Sequence, residues 1–310
     1  MTDKNLVFFD CECANTKGGI GKICSLGYVI CDENFNLITK EDIVMNPECE
    51  FDWFLFSGKG DIALAYSREY FRSQPAFPQF YDKINQIFTE NSPFVAGFAV
   101  SNDVHFVNSA CNRYALPFIN FAAFDVRNLL EQHYGQTKKL KDWFAFFEED
   151  QKNTMKFQFH NSADDAHATM LCLEGFCRKT GKTAFQIFDE RKDLFTSSQF
   201  SLKQMQEREE KKALMSKIER LYNRQNKNSP YTSVLSEHFE FDKSMFRLGE
   251  RTVKLARKIY DNGGLIHKHL HAGSGTVIFS DEEEMKKNNG MLKKRNLEGI
   301  TFEKIMASLD

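Results

Sequence analysis

The chain changes character near residue 200, and that break constrains its fold more than any other feature. All eight cysteines and 26 of the 31 phenylalanines precede residue 201. Residues 1–200 carry 20 Lys+Arg against 27 Asp+Glu, whereas residues 201–310 carry 21 against 16. Opposite net charges and unequal aromatic content imply two modules, one of which can face an anion. A length of 310 residues suits two domains. The expected division is 1–198 for the first domain, 199–229 for a charged helical linker and 230–310 for the second domain. No apolar run approaches the roughly 18 residues of a membrane-spanning helix, which argues against an integral membrane protein. Met1 to Asn5 leads straight into a strand-like run, so no signal peptide is expected. Without an export signal the cysteines read as reduced thiols, which points to the cytoplasm.

Leu6-Val7-Phe8-Phe9 reads as a buried strand that ends on Asp10. Ile23 to Cys31 and Phe35 to Val44, on either side of the turn Asp32-Glu33-Asn34, read as a hairpin. Helical spacing over Phe77 to Phe88 is followed by a strand at Pro93 to Gly97 and a helix over Val104 to Tyr114. A strand over Phe118 to Phe124 and a helix over Val126 to His133 come next. Ser162 to Lys179 is the clearest helix, with Ser162 as a cap and Gly181 past its end. An opening hairpin followed by strands alternating with helices predicts an α/β domain with a mixed sheet. Residues 201–226 are dense in charge and lack Gly and Pro, which predicts a solvated helix. In the second module, Arg251 to Asn262 reads as an amphipathic helix, and Leu265 to His271 and Thr276 to Phe279 as a hairpin around Gly273-Ser274-Gly275. Met285 to Arg295 and Thr301 to Leu309 complete the set.

Four carboxylates and one imidazole stand at strand ends or helix starts. Asp10 and Glu12 are two apart on a strand, so they point to the same side. Asp103 opens one helix and Asp165 opens another, with His160 in the loop before it. Ligand sites of α/β sheets form beyond the carboxyl ends of strands. Oxygen donors of this kind suit Mg²⁺ or Mn²⁺, and a pair of such ions about 4 Å apart can cleave a phosphodiester. A histidine can take the proton of the attacking water. Taken singly, each residue has a plainer role: a turn or helix cap, a helix start favoured by the dipole, or a structural histidine.

Together they carry a resemblance. Phe8-Phe9-Asp10-Cys11-Glu12, Gly97-Phe98 up to Asp103, and His160 to Ala166 are similar to the three motifs of the DEDDh 3′–5′ exonucleases, with His160 and Asp165 five apart. The resemblance covers residues 3–190 and includes Ile23 to Tyr28. It implies an RNase H-like fold with a mixed five-stranded sheet and flanking helices. It also implies two Mg²⁺ or Mn²⁺ ions on Asp10, Glu12, Asp103 and Asp165, with His160 as general base. Glu12 and the backbone at Cys13 and Ala14 would touch the 3′-hydroxyl, and Phe98 or Phe106 would stack on a base. The expected substrate is a nucleic-acid 3′ end, single-stranded DNA ahead of RNA, with release of nucleoside 5′-monophosphates. Cys11 and Cys13 replace small polar residues, and Asn102 replaces an aromatic of some relatives, which leaves substrate choice open.

Leu255 to Ile266, with its Gly263-Gly264 turn, resembles the first helix and turn of a BRCT domain, although Phe302 stands where that family often has tryptophan. The resemblance implies a small C-terminal α/β domain that binds a protein, a phosphopeptide or 5′-phosphorylated DNA. Ser244, Arg247, Arg251 and Lys268 are the candidates for a phosphate pocket. Two alternatives stand beside the DNA exonuclease: an RNA 3′-end exoribonuclease, and a BRCT-type scaffold whose nuclease half binds nucleic acid without cleaving it. Gly18-Gly19-Ile20-Gly21-Lys22 fails the phosphate-loop pattern and reads as a loop beside the site, with Lys17 or Lys22 near substrate phosphate. Cys11-x-Cys13 lacks the second pair that zinc needs. His267, His269 and His271 would share one face of a strand, where a transition metal is conceivable but a half-exposed face is the simpler reading.

Overall fold

A computed structural model describes residues 5–16, 21–56, 63–90, 93–148, 157–225 and 238–309. The stretch 17–20, with Lys17 and most of the glycine-rich loop, lies outside the described residues. The chain divides into two compact units, Met1–Gln204 and Met205–Asp310.

The first unit runs β1 (Leu6–Cys13), β2 (Ile23–Cys31), β3 (Leu37–Val44), α1 (Arg68–Ser73), α2 (Tyr81–Thr89), β4 (Phe94–Gly97), α3 (Ser101–Arg113), β5 (Ala122–Asp125) and α4 (Val126–Tyr134). It continues with α5 (Leu140–Glu148), α6 (Ser162–Thr180), α7 (Ala184–Glu190), β6 (Phe195–Ser197) and the start of α8 (Ser198–Gln225). The sheet order is β3-β2-β1-β4-β5-β6. Strands β1, β2 and β3 are antiparallel neighbours, β4 and β5 run parallel to β1, and β6 returns antiparallel to β5. Six strands replace the five expected. The sixth is only three residues long and is pinned from outside: Phe121 N–H donates to the Ser198 hydroxyl at 3.1 Å, and Asn108 Nδ2 to the Ser198 carbonyl at 2.9 Å. Neither partner is near in sequence, so no local pattern announced the strand.

Both faces of the sheet are covered, so β1 reads as a continuous apolar run. Leu6 and Phe8 point into a core shared with α4, α5, α6 and α7. Val7, Phe9 and Cys11 point into the opposite core, shared with α2 and α3. By this alternation Asp10 and Glu12 fall on the face covered by α6. The helix expected over Phe77 to Phe88 is split into a 3₁₀ turn, Phe77–Phe80, and α2, with Pro78 near the N-terminus of the turn.

The second unit contains β7 (His238–Phe241), α9 (Glu250–Asp261), β8 (Leu265–His267), β9 (Thr276–Phe279), α10 (Glu282–Lys287), α11 (Asn289–Arg295), β10 (Glu298–Thr301) and α12 (Phe302–Ser308). Its sheet is parallel throughout, in the order β10-β9-β7-β8. The expected hairpin of β8 and β9 is therefore corrected: the two strands lie on opposite sides of β7. Residues 268–275 are a crossover, not a turn. Long-range bonds hold it, since the Glu240 carboxylate accepts from Leu270 N–H at 2.8 Å and from Arg295 at 2.8 Å, and Arg295 donates to the Leu270 carbonyl at 2.7 Å. The three alternating histidines do not share a strand, because β8 stops at His267. His267 meets His238 at 2.7 Å and His269 faces Glu240 at 3.4 Å. The charged helix is also more than a solvated rod, since Leu214 and Ile218 of α8 are buried in the second unit's core.

All eight cysteines are free thiols. Among the described residues, no helix is long and apolar enough to cross a membrane.

Candidate active site

The site is built on one row of the sheet. Asp10 of β1 lies opposite Gly27 of β2, and Gly27 lies opposite Asp42 of β3. Gly27 has no side chain for a reason: a Cβ there would sit 2.0 Å from the Ala163 nitrogen and from the Ser162 carbonyl carbon. The first turn of α6 thus rests directly on the sheet and brings Asp165 beside Asp10. The Ser162 hydroxyl bonds Asp42 Oδ1 at 2.7 Å and Ser25 Oγ at 2.9 Å, which fixes the height of the helix over the sheet. The expected cap is corrected here: Asn161 caps α6, its side chain accepting from Asp164 N–H at 3.0 Å, while Ser162 turns to the sheet. Asn161 Nδ2 also reaches Asp42 Oδ2 and the Tyr66 hydroxyl, both at 3.2 Å.

His160 precedes this cap with φ of 67°, a left-handed conformation that costs a non-glycine residue energy and occurs where surrounding contacts enforce it. Its N–H donates to Asp165 Oδ2 at 3.0 Å, and its Nδ1 lies 3.4 Å from Glu12 Oε1. Asp164 anchors the same loop, accepting from Gln158 N–H at 2.7 Å and from Lys40 Nζ at 2.5 Å. Asp103 is buried in the first turn of α3, near the backbone N–H of Cys11.

The electrostatics of the cluster are one-sided. Burial, then the charges of Asp103, Asp165, Glu12 and Asp42, push the Asp10 carboxyl well above its ordinary range. Burial, then Glu12, raises Asp103 in the same way. Burial and then the Glu12 charge raise Asp165 to about 7, against the pull of the His160 N–H. Asp165 Oδ1 is buried without a hydrogen-bond partner, an expensive state for a carboxylate oxygen. One oxygen or nitrogen each from Glu12, His160 and Asp165 lie within 4.8 Å of one another. Mutually repelling oxygen donors with an unsatisfied lone pair fit a hard divalent cation.

The structure thus sets Glu12, His160 and Asp165 within 4.8 Å of one another, with Asp10 and Asp103 near enough for their charges to act on the same cluster. Other expected contacts are otherwise engaged. Ala14 is fully buried, its N–H spent on the Lys22 carbonyl at 2.8 Å and its carbonyl on Asp52 N–H at 2.8 Å. Cys13 is half-buried beside Glu12, and the Glu12 carbonyl accepts from the Cys24 thiol at 3.3 Å. Phe98 packs against one core, and Phe106 packs against the other with Gly21 beneath its ring. In the second unit Ser244 is buried and accepts from Ser280 N–H at 3.1 Å, and Arg247 faces Glu284 at 3.4 Å. Arg251 stacks on Phe302 and pairs with Glu303 at 2.7 Å, while Lys268 is exposed beyond β8. Three of the four phosphate-pocket candidates therefore have partners of their own.

Sequence reading missed Asp42, Asn161, Tyr66 and Asp125. Asp125 carries the signal that picked out Asp103, an acid between a strand and a helix. It caps α4, and its Oδ1 accepts from Asn128 N–H at 3.1 Å and Ala99 N–H at 3.2 Å. Asp42 gave no local signal, because its partners lie about 120 residues away.

A sheet whose central strand carries two carboxylates toward a capped helix with a third, beside a histidine, defines a hydrolase of the nuclease type. The exonuclease family (RNase T) matches residues 7–173, more than half of the chain, and the chain belongs to that family. No curated relative matches it in sequence. Similar solved structures include a 3′-exonuclease in 3′-end-specific recognition of the histone mRNA stem-loop (12% identity, TM-score 0.48, 59% of this chain and 85% of that one). Another is E. coli exonuclease I in complex with a dT13 oligonucleotide (15% identity, TM-score 0.46, 60% of this chain and 43% of that one). The chain thus spans less than half the length of exonuclease I.

Proposed function

We propose that the first unit is a 3′–5′ exonuclease that hydrolyses the terminal phosphodiester of single-stranded DNA and releases nucleoside 5′-monophosphates. The observation that carries the reading is the convergence of Asp10, Glu12, Asp103 and Asp165 with His160 on one sheet edge, with carboxyls raised by burial and by one another. These four carboxylates would hold two Mg²⁺ or Mn²⁺ ions, which when bound supply Lewis acidity at the phosphodiester. His160, its backbone tied to Asp165 and its ring beside Glu12, takes the proton of the attacking water as general base. Replacing His160 with Ala should lower kcat roughly 10²- to 10⁴-fold.

The test is a time course on a 5′-labelled single-stranded DNA oligomer with Mn²⁺ or EDTA and a 3′-phosphorylated control. A metal-dependent ladder shrinking from the 3′ end, slowed by the 3′-phosphate, is expected. Cleavage of a matched RNA alone would turn the assignment to an exoribonuclease. Cleavage of neither would leave the scaffold reading, against which the complete set of five residues speaks.

For the second unit we propose a BRCT-type binding domain. The strand order β10-β9-β7-β8, all parallel, with α9 between β7 and β8 and α12 at the end, supports this reading. Its ligand would be a protein or a phosphorylated end that recruits the nuclease. Pull-down with phosphorylated and unphosphorylated peptides and with 5′-phosphorylated DNA tests it.

A further inference from the structure

The loop that carries His160 is held from the edge strand β3 by a residue outside the carboxylate cluster. Lys40 and Asp42 are two apart on β3, so their side chains stand on one face. Both grip the start of α6 and the loop before it. Asp42 bonds Ser162 and Asn161, and Lys40 Nζ meets Asp164 Oδ1 at 2.5 Å. The other carboxylate oxygen, Asp164 Oδ2, accepts from Gln158 N–H at 2.7 Å. The Gln158 carbonyl accepts in turn from Asn161 N–H at 2.9 Å, and the Asn161 side chain accepts from Asp164 N–H at 3.0 Å. His160 thus lies inside a short turn whose two ends are both tied to Asp164. Lys40 Nζ also lies 3.4 Å from His167 Nδ1 and 5.4 Å from the centre of the Phe157 ring. Phe157 packs edge-on against Phe144 and His167, with ring centres 4.8 and 5.2 Å away.

The left-handed φ of His160 has to be enforced by its surroundings. One enforcing bond, from His160 N–H to Asp165, runs to a carboxylate of the cluster. The other runs from Gln158 N–H to Asp164, and the ammonium of Lys40 aims that carboxylate. The side chains of this ion pair are 29% and 22% exposed, so the pair adds little to global stability. Its weight falls on geometry instead, because a displacement of about 1 Å can cost a reaction roughly 10²-fold in rate. We infer that Lys40, acting through Asp164, is a positioning residue for His160, an inference that rests on the nuclease reading and names what sets the imidazole in place.

With Mn²⁺ and a single-stranded DNA oligomer, Lys40→Met should lower kcat about 10²-fold while KM stays within about twofold. Lys40→Arg, which keeps a cation and its donors, should recover most of the rate. In a His160→Ala background, Lys40→Met should cost less than about threefold more, because the group it positions is gone. In EDTA, backbone amides of residues 157–161 should exchange at least about tenfold faster in Lys40→Met than in the unsubstituted chain, with β1 and α4 unchanged. An unchanged kcat in Lys40→Met would overturn the inference. A raised KM at constant kcat would do the same, making Lys40 a contact for substrate phosphate. Full multiplicative losses in the His160→Ala background, or unaltered exchange of residues 157–161, would also overturn it. Hydrolysis of the oligomer by the unsubstituted chain decides the nuclease reading separately. Without hydrolysis that reading falls by itself, and the exchange rates still decide whether Lys40 holds the loop.

Discussion

The two units each place charged residues at the carboxyl edge of a sheet, and they treat those charges in opposite ways. Among the described residues of the second unit the buried charge has a counter-charge: Glu240, 7% exposed, accepts from both terminal guanidinium nitrogens of Arg295, which holds its carboxyl below the ordinary range against burial. Arg247 and Arg251 are paired with Glu284 and Glu303. In the first unit Asp10, Asp103 and Asp165 are raised by burial and by their acidic neighbours, and Asp165 Oδ1 lacks a partner. One edge spends its charges on cohesion. The other keeps them unpaid, a cost that folding alone does not justify and that a cation can relieve.

That contrast can be broken most sharply by neutralising one residue on each side. Asp165→Asn should lower nuclease activity at least ~10³-fold, read as initial rate at saturating metal, while the melting temperature in EDTA holds or rises because a repelling charge has gone. A fall in melting temperature would mean that the cluster is cohesive after all. Glu240→Ala should do the reverse, leaving Arg295 without its carboxylate and destabilising the second unit by about 2–4 kcal/mol in urea unfolding. Between these lies Gly27→Ala, whose methyl group meets the backbone of α6. A stability loss of about 1–3 kcal/mol is expected, with a loss of activity from the displaced Asp165. Wild-type activity in Gly27→Ala would show that the height of α6 does not matter.

The pH dependence sharpens the same comparison at smaller amplitude. Asp165 titrates near 7 in the fold and near ~3.9 unfolded, so its contribution to stability is complete below the unfolded value and is lost as pH rises through 7. Metal-free protein should therefore melt lower at pH 8 than at pH 5, by a difference of about 2–4 kcal/mol at most, and Mg²⁺ should narrow the gap. Asp165→Asn should flatten it. Equal melting temperatures at the two pH values in EDTA would remove the repulsion account.

Much of the site was legible because it is local. Asp10 and Glu12 share a face through strand alternation alone, and the spacing of His160 from Asp165 is one loop and one helical turn. The opening hairpin, the parallel strands that follow and the long helix α6 were legible from apolar runs and caps. The short strand β6, the separation of β8 from β9 and the burial of Leu214 and Ile218 were not, since each depends on partners far along the chain.

The sequence by itself determined which donors this protein owns and on which side of β1 the first two stand, because side-chain direction in a strand follows from backbone geometry within two residues. Only the tertiary structure decided that those donors meet. Gly27 lets α6 rest on the sheet, Ser162 and Asn161 clamp it to Asp42, and the strained His160 is held between Asp165 and Glu12. Those contacts span up to about 150 residues of chain, and their geometry comes from how two buried faces pack, which no local pattern of residues encodes.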